Sequence, residues 1–155
     1  MVKLDPKRSE LVKTISQLVN LLSDEEKQVV LVTGNRLPIS IFRTKNLSGL
    51  EAITLYLKDV KSLSIKEIAA TLNRNPSTIY TTYHKARQKI RGKLNYSDFS
   101  FTIPLSVFAN RKFSVLESLV SYLKNKNLNL SKIASLLNKN YNTVKTVYRR
   151  YQKKC

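Results

Sequence analysis

The chain has 155 residues, a formal net charge of +18 and 42% hydrophobic residues, enough apolar content to bury a core, which excludes reading the charge as a mark of disorder. The excess of 28 basic over 10 acidic residues points to a polyanionic partner, either nucleic acid or an anionic membrane face. A lone cysteine, Cys155, excludes an internal disulfide, and one cysteine with one histidine cannot build a structural zinc site, so neither metal nor cofactor is expected.

From the N-terminus, Met1-Val2-Lys3-Leu4-Asp5-Pro6-Lys7-Arg8 has no apolar signal-peptide core behind it, and no stretch approaches a membrane span. The expectation is a cytoplasmic, nucleoid-associated protein with no membrane partner. Residues 5–35 read as helical. Leu11, Val12, Ile15, Leu18, Val19 and Leu22 recur at three- and four-residue spacing as one apolar stripe. Ser23-Asp24-Glu25-Glu26 opens a second helix through about Val32, stopped by Gly34. This N-terminal segment, 1–37, is expected to be a helical hairpin, either packed on the neighbouring part of the chain or serving as a homodimer contact.

The remainder repeats itself. Pro38-Ile39-Ser40-Ile41-Phe42 returns as Pro104-Leu105-Ser106-Val107-Phe108, and Tyr56-Leu57-Lys58 as Tyr122-Leu123-Lys124. Ile68-Ala69-Ala70-Thr71-Leu72-Asn73-Arg74-Asn75 returns as Ile133-Ala134-Ser135-Leu136-Leu137-Asn138-Lys139-Asn140. The offset of 66 residues becomes 65 after the Tyr-Leu-Lys stretch, which places a one-residue indel in the loop behind it. A fixed offset means two copies of one structural unit, at 38–92 and 104–155, with a linker at 93–103.

Each copy opens on an alternating Pro-x-Ser-x-Phe segment, expected to be extended; the two could pair into a small sheet. Ser48 with Glu51, and Ser114 with Glu117, are capping boxes that open a helix. Its inner face is Leu50, Ile53, Leu57 and Val60, or Leu116, Leu119, Val120 and Leu123. A short helix comes next, capped by Ser64 with Glu67 or by Asn129, with Ile65, Ile68, Ala69 and Leu72 inward, or Leu130, Ile133, Ala134 and Leu137. It ends at Asn73-Arg74-Asn75 or Asn138-Lys139-Asn140, a tight turn for which Asn tolerates a left-handed backbone. A longer basic helix completes the unit. The fold class is therefore all-α with short extended lead-ins: two tandem helix-turn-helix units behind a helical hairpin.

On the last helix Ile79, Tyr83 and Ala86, or Val144, Tyr148 and Tyr151, are expected to face the core. That turns Ser77, Thr78, Tyr80, Thr81, His84, Lys85 and Gln88 outward in the first copy, and Asn142, Thr143, Lys145, Thr146, Arg149 and Arg150 in the second. The N-terminal end of such a helix suits a phosphate, with Thr78 and Thr143 adding hydroxyls. Tyr80, Thr81, Lys145 and Thr146 lie where a recognition helix meets base edges. Lys85, Arg87, Arg149 and Arg150 lie further along and suit phosphates. No acid occurs from Ile68 to Ser97 or from Ser118 to the end, so both candidate reading helices are free of carboxylates.

Leu63-Ser64-Ile65-Lys66-Glu67-Ile68-Ala69-Ala70-Thr71-Leu72-Asn73-Arg74-Asn75-Pro76-Ser77-Thr78-Ile79-Tyr80, followed by Lys85-Ala86-Arg87, resembles region four of bacterial sigma factors and related regulators. That resemblance covers about 45 residues of each copy and implies a DNA-binding helix-turn-helix with its last helix in the major groove. The chain lacks the other sigma regions, and the lead-in and tandem arrangement are not part of the sigma pattern. The expected function is a double-stranded DNA-binding transcriptional regulator with two recognition helices in successive major grooves, with RNA polymerase as a further candidate partner. The alternatives are an RNA- or ribosome-associated basic protein and an interaction module docking on the transcription machinery. No acid pair, glycine-rich phosphate loop or nucleophile with a nearby base is present, so no enzyme is expected.

Overall fold

Residues 5–27 and 34–155 are described by a computed structural model. The chain divides into two units, Met1–Gly34 and Asn35–Cys155. In the first, helix α1 (Pro6–Asn20) starts where Asp5 accepts a hydrogen bond from the Lys7 backbone N–H and Pro6 takes the first turn, where a missing N–H costs nothing. Its apolar stripe of Leu11, Val12, Ile15 and Leu18 is exposed. Residues 24–27 are helical, and Ser23 and Glu26 exchange the two bonds of a capping box. The rest of the second helix expected through Val32 lies outside the described residues.

In the second unit one succession of elements occurs twice. Strand β1 (Arg36–Pro38) leads into a 3₁₀ turn at Ile39–Arg43, helix α2 (Gly49–Leu55), helix α3 (Ile65–Thr71) and helix α4 (Pro76–Lys89). Strand β2 (Thr102–Pro104) then leads into a 3₁₀ turn at Leu105–Phe108, helix α5 (Val115–Asn125), helix α6 (Leu130–Leu136) and helix α7 (Tyr141–Lys154). Three capping boxes form as their spacing predicts: Ser48 with Glu51, Ser64 with Glu67 and Ser114 with Glu117.

The lead-ins differ from expectation. They are extended only as far as Pro38 and Pro104, then wind into 3₁₀ turns. In the first copy Ile39, Ser40, Ile41 and Phe42 are all enclosed, which a strand with one covered face does not achieve. In the second, Leu105 and Phe108 are buried, three residues apart, which a 3₁₀ turn sets on one side.

The one-residue indel is also not in a loop. In the first copy α2 runs on into a π-helical turn, Tyr56–Val60, closed by the Lys61 N–H donating to the Tyr56 carbonyl at 3.1 Å. Seven α-helical plus five π-helical residues therefore stand against the eleven regular ones of α5. A π turn absorbs one extra residue without breaking the helix. Both helices then end at a left-handed residue, Ser62 (φ 56°) or Asn127 (φ 63°), which already stand 65 apart.

β1 and β2 pair antiparallel, with Leu37 opposite Ile103, Arg36 opposite Pro104 and Pro38 opposite Thr102. Leu37 and Ile103 occupy the same position in the two copies. The flanking bonds are reciprocal: the Ile39 N–H donates to the Phe101 carbonyl at 3.0 Å, and the Leu105 N–H to the Asn35 carbonyl at 2.9 Å. Phe42 meets its own equivalent, Phe108, with ring centroids 5.8 Å apart. Gly49 meets Val115, likewise its equivalent; a Cβ on Gly49 would lie 2.6 Å from Val115 Cγ1. When like positions meet like, and each i-to-j contact has its j-to-i partner, the relation is a two-fold rotation. The second unit is thus built about a local two-fold axis.

That seam explains a second departure. The expected single inner face of α2 is in fact a helix enclosed nearly all round, with Glu51, Ala52, Thr54, Leu55 and Tyr56 buried beside Ile53 and Leu57. Leu50 and Val60, expected inward, are only half-buried. Val115 at the start of α5 is buried for the same reason. One side of each helix serves its own copy and the other serves the partner copy.

Candidate nucleic-acid interface

α3, its turn and α4 form a helix-turn-helix, as do α6, its turn and α7. Ala69 and Ala134 are buried where the short helix packs on the long one; a larger side chain there would force the pair apart. Asn73 and Asn138 both take φ 51°, the left-handed conformation that Asn tolerates better than most residues. Asn75 then caps α4 by accepting from the Ser77 N–H at 2.9 Å, and Asn140 caps α7 by accepting from the Asn142 N–H at 2.8 Å.

The buried anchors are Ile79 and Ala86 on α4, and Val144 and Val147 on α7. Val147 falls outside the expected inner set. Tyr83, Tyr148 and Tyr151, expected in the core, are half-buried at its rim. A phenol carries a hydroxyl that needs a polar partner, so an edge position suits it; the Tyr83 hydroxyl donates to Asp59 at 2.8 Å.

The residues expected outside are outside. Ser77, Thr78, Tyr80, Thr81, His84, Lys85, Arg87 and Gln88 are exposed on α4, and Asn142, Thr143, Lys145, Thr146, Arg149 and Arg150 on α7. Ser77, Thr78, Thr81 and Lys85 come together with Thr82 around one surface hollow of about 330 Å³. The Tyr80 and His84 rings meet one turn apart, with centroids at 4.3 Å and planes tilted by 59°. Two of the set have local duties. The Ser77 hydroxyl is held by Asn75 at 2.7 Å, and Arg87 pairs with Asp59 at 3.3 Å.

Both long helices are tied down by their C-terminal ends. Lys89 on α4 reaches Glu51 at 2.8 Å, and Lys154 on α7 reaches Glu117 at 2.7 Å. Each glutamate also closes its own capping box, so one carboxylate joins the start of one helix to the end of another. Burial works against the Glu51 charge, yet Lys89 and Ser48 outweigh it and hold the carboxyl below its ordinary pKa. Glu117 behaves alike: burial opposes, and Lys154, Ser114 and Arg150 prevail.

Sequence reasoning missed one cationic site. Arg74, in the first turn, has a buried Nε with no hydrogen-bond partner among the described residues. Burial and then the charge of Arg111, from the other copy, push its pKa below the ordinary arginine value. The adjacent Asn73 side chain donates to the Ala109 carbonyl at 3.3 Å, so this turn rests on the other copy. No pattern within one repeat announces such a pair, because it exists only across the seam.

The family model of Sigma-70, region 4 matches residues 45–90, which span α2 to α4. Region 4 is a helix-turn-helix DNA-binding domain without catalytic function. The match supports DNA binding and a role connected with transcription. No curated protein and no solved structure gave a match. No helix among the described residues is long and apolar enough to cross a membrane.

Proposed function

We propose that the protein is a transcriptional regulator that binds double-stranded DNA through both α4 and α7, each set in a major groove, in grooves about 34 Å apart. The observation that carries this reading is the outer face of the two helices, polar and cationic, exposed along its length and without one carboxylate. A solvated face of a basic protein has no need to exclude acids from the same helix twice. Thr78, Thr81, Thr143 and Thr146 lie at the N-terminal half of the helices for phosphate and base-edge contacts; Lys85, Arg149 and Arg150 lie further along for phosphates. A rigid helix face favours B-form DNA, because the deep narrow major groove of A-form RNA does not admit it. RNA polymerase contact belongs to the same reading as a second surface.

Fluorescence anisotropy with duplex DNA, duplex RNA and single strands across a salt series tests this. Duplex DNA should bind tightest, and log K should fall against log salt by about 0.9 for each phosphate neutralised. Preference for either RNA form, or duplex binding indifferent to salt, would overturn it.

A further inference from the structure

Two copies that succeed one another in a chain suggest two heads reading in the same direction, and hence a direct repeat in the target. The packing at the seam excludes that relation. A translational, head-to-tail arrangement joins different surfaces of the two copies. Here Leu37 meets Ile103, Phe42 meets Phe108 and Gly49 meets Val115, each position touching its own counterpart. The longer reach across the seam is mutual as well. Arg43 Nε donates to the Leu136 carbonyl near the end of α6 at 2.7 Å, while Asn73, just past the end of α3, donates to the carbonyl of Ala109, the counterpart of Arg43.

We infer that the DNA target is an inverted repeat, two half-sites on opposite strands running toward a shared centre. The inference rests on the proposed duplex reading. Heads related by a two-fold axis make equivalent contacts only with stretches of DNA related by a two-fold axis, and a duplex supplies such axes perpendicular to its length. In this placement the centre of the site lies at the seam, where basic residues of both copies gather. Arg74 and Arg111 interact across it on one side. The same rotation carries Arg74 to Lys139 and Arg111 to Lys45, cations again. The half-sites are inverted in placement but unlike in bases, because Tyr80 and His84 of α4 stand where α7 has Lys145 and Arg149.

That inequality makes a sharp test possible. Selection from a random duplex pool is run on the full chain and on a variant carrying Asn142→Ser, Lys145→Tyr, Arg149→His, Arg150→Lys, Gln152→Arg and Lys153→Gln. These six positions are exposed, and the changes give α7 the α4 face without touching the core. The wild-type chain should return a bipartite motif with unlike halves, and the variant a palindrome. Flipping one half of the palindrome into a direct repeat should cost the second head its hold on the duplex, about 100-fold in affinity. A direct repeat from the variant, or a single half-site from both proteins, would overturn the inversion and leave duplex DNA binding in place. Failure of the wild-type chain to bind duplex DNA in the same experiment would remove both readings together; binding without any enriched motif, or loss of binding by the variant alone, would remove the inversion.

Discussion

α4 and α7 are the same helix in two dialects. Both have 14 residues, an asparagine cap, a preceding left-handed asparagine and a terminal lysine bound to a capping-box glutamate. Their outer faces nevertheless differ. α4 presents a tilted Tyr80–His84 ring pair, with Tyr83 edge-on to the same imidazole at 5.5 Å, and two of its cations, Arg87 and Lys89, are occupied by Asp59 and Glu51. On α7, Lys145 and Arg149 hold the places of that ring pair, and Gln152 that of Arg87. Tyr148 is approached not by an acid but by Lys124, whose ammonium lies 6.0 Å from the ring centroid. The comparison teaches that caps, turns and the terminal lysine form a frame held constant, within which one head has become aromatic and the other cationic.

The largest expected effect separates the heads directly. Lys145→Ala with Arg149→Ala should weaken duplex binding about 30-fold, through a base-edge contact and a phosphate contact, and lower the salt slope by about 1 for the phosphate that Arg149 leaves. Tyr80→Ala with Lys85→Ala should weaken it by less than about tenfold and lower the slope by about 1. Anisotropy titrations at several salt concentrations measure both quantities, and the reverse ranking would mean that the aromatic head dominates affinity.

Next is the seam. Gly49→Val sets a second branched side chain against Val115 and should destabilise the fold by about 1–3 kcal/mol through overpacking. Val115→Ala, which only removes methyl groups from the other side, should cost less. Chemical denaturation compares the two; equal costs would show that the contact yields more easily than the 2.6 Å approach implies.

A smaller effect appears with pH. Glu51 and Glu117 both have lowered folded-state pKa values, so the stability they contribute is present above the ordinary carboxylate pKa of about 4.3 and is lost as pH falls through the folded value. Melting temperature should therefore drop on acidification below about pH 4. Lys89→Met and Lys154→Met should each flatten that drop in part; a pH profile untouched by both would separate the lysines from the effect.

The smallest change concerns Tyr56. Its phenol is buried, its pKa is pushed up to about 12 by that burial, and its hydroxyl has no hydrogen-bond partner among the described residues. Tyr56→Phe should be neutral or stabilise by up to about 1 kcal/mol. At the equivalent Tyr122, half-buried under Lys126, the same change should do nothing measurable.

Much of this was legible in the sequence. Ser48, Ser64, Ser114 and Asn129 announce helix starts through chemistry local to three or four residues, and Asn73 and Asn138 announce the turns in the same way. The outward faces come from helical periodicity. What was hidden lies between the copies. Periodicity assigns α2 one inner face because it knows of one neighbour; the second neighbour is its own counterpart, α5. Alternation in Pro-x-Ser-x-Phe mimics a strand because a 3₁₀ turn that buries its first and last residues also places apolar side chains within it. The indel resembles a loop event because a gap in an alignment carries no geometry, and the π turn at Tyr56–Val60 shows where the residue went. Arg74 with Arg111 could not be seen from either repeat alone.

The pairing of Gly49 with Val115 reaches beyond stability. Two glycines facing one another at that point would leave a hole, and two valines would collide. Each duplicate has become the mould of the other, so neither can be exchanged for a second copy of its sibling. A duplication that began with interchangeable parts is now locked as left and right hands of a single molecule, free to give its two faces separate words to read.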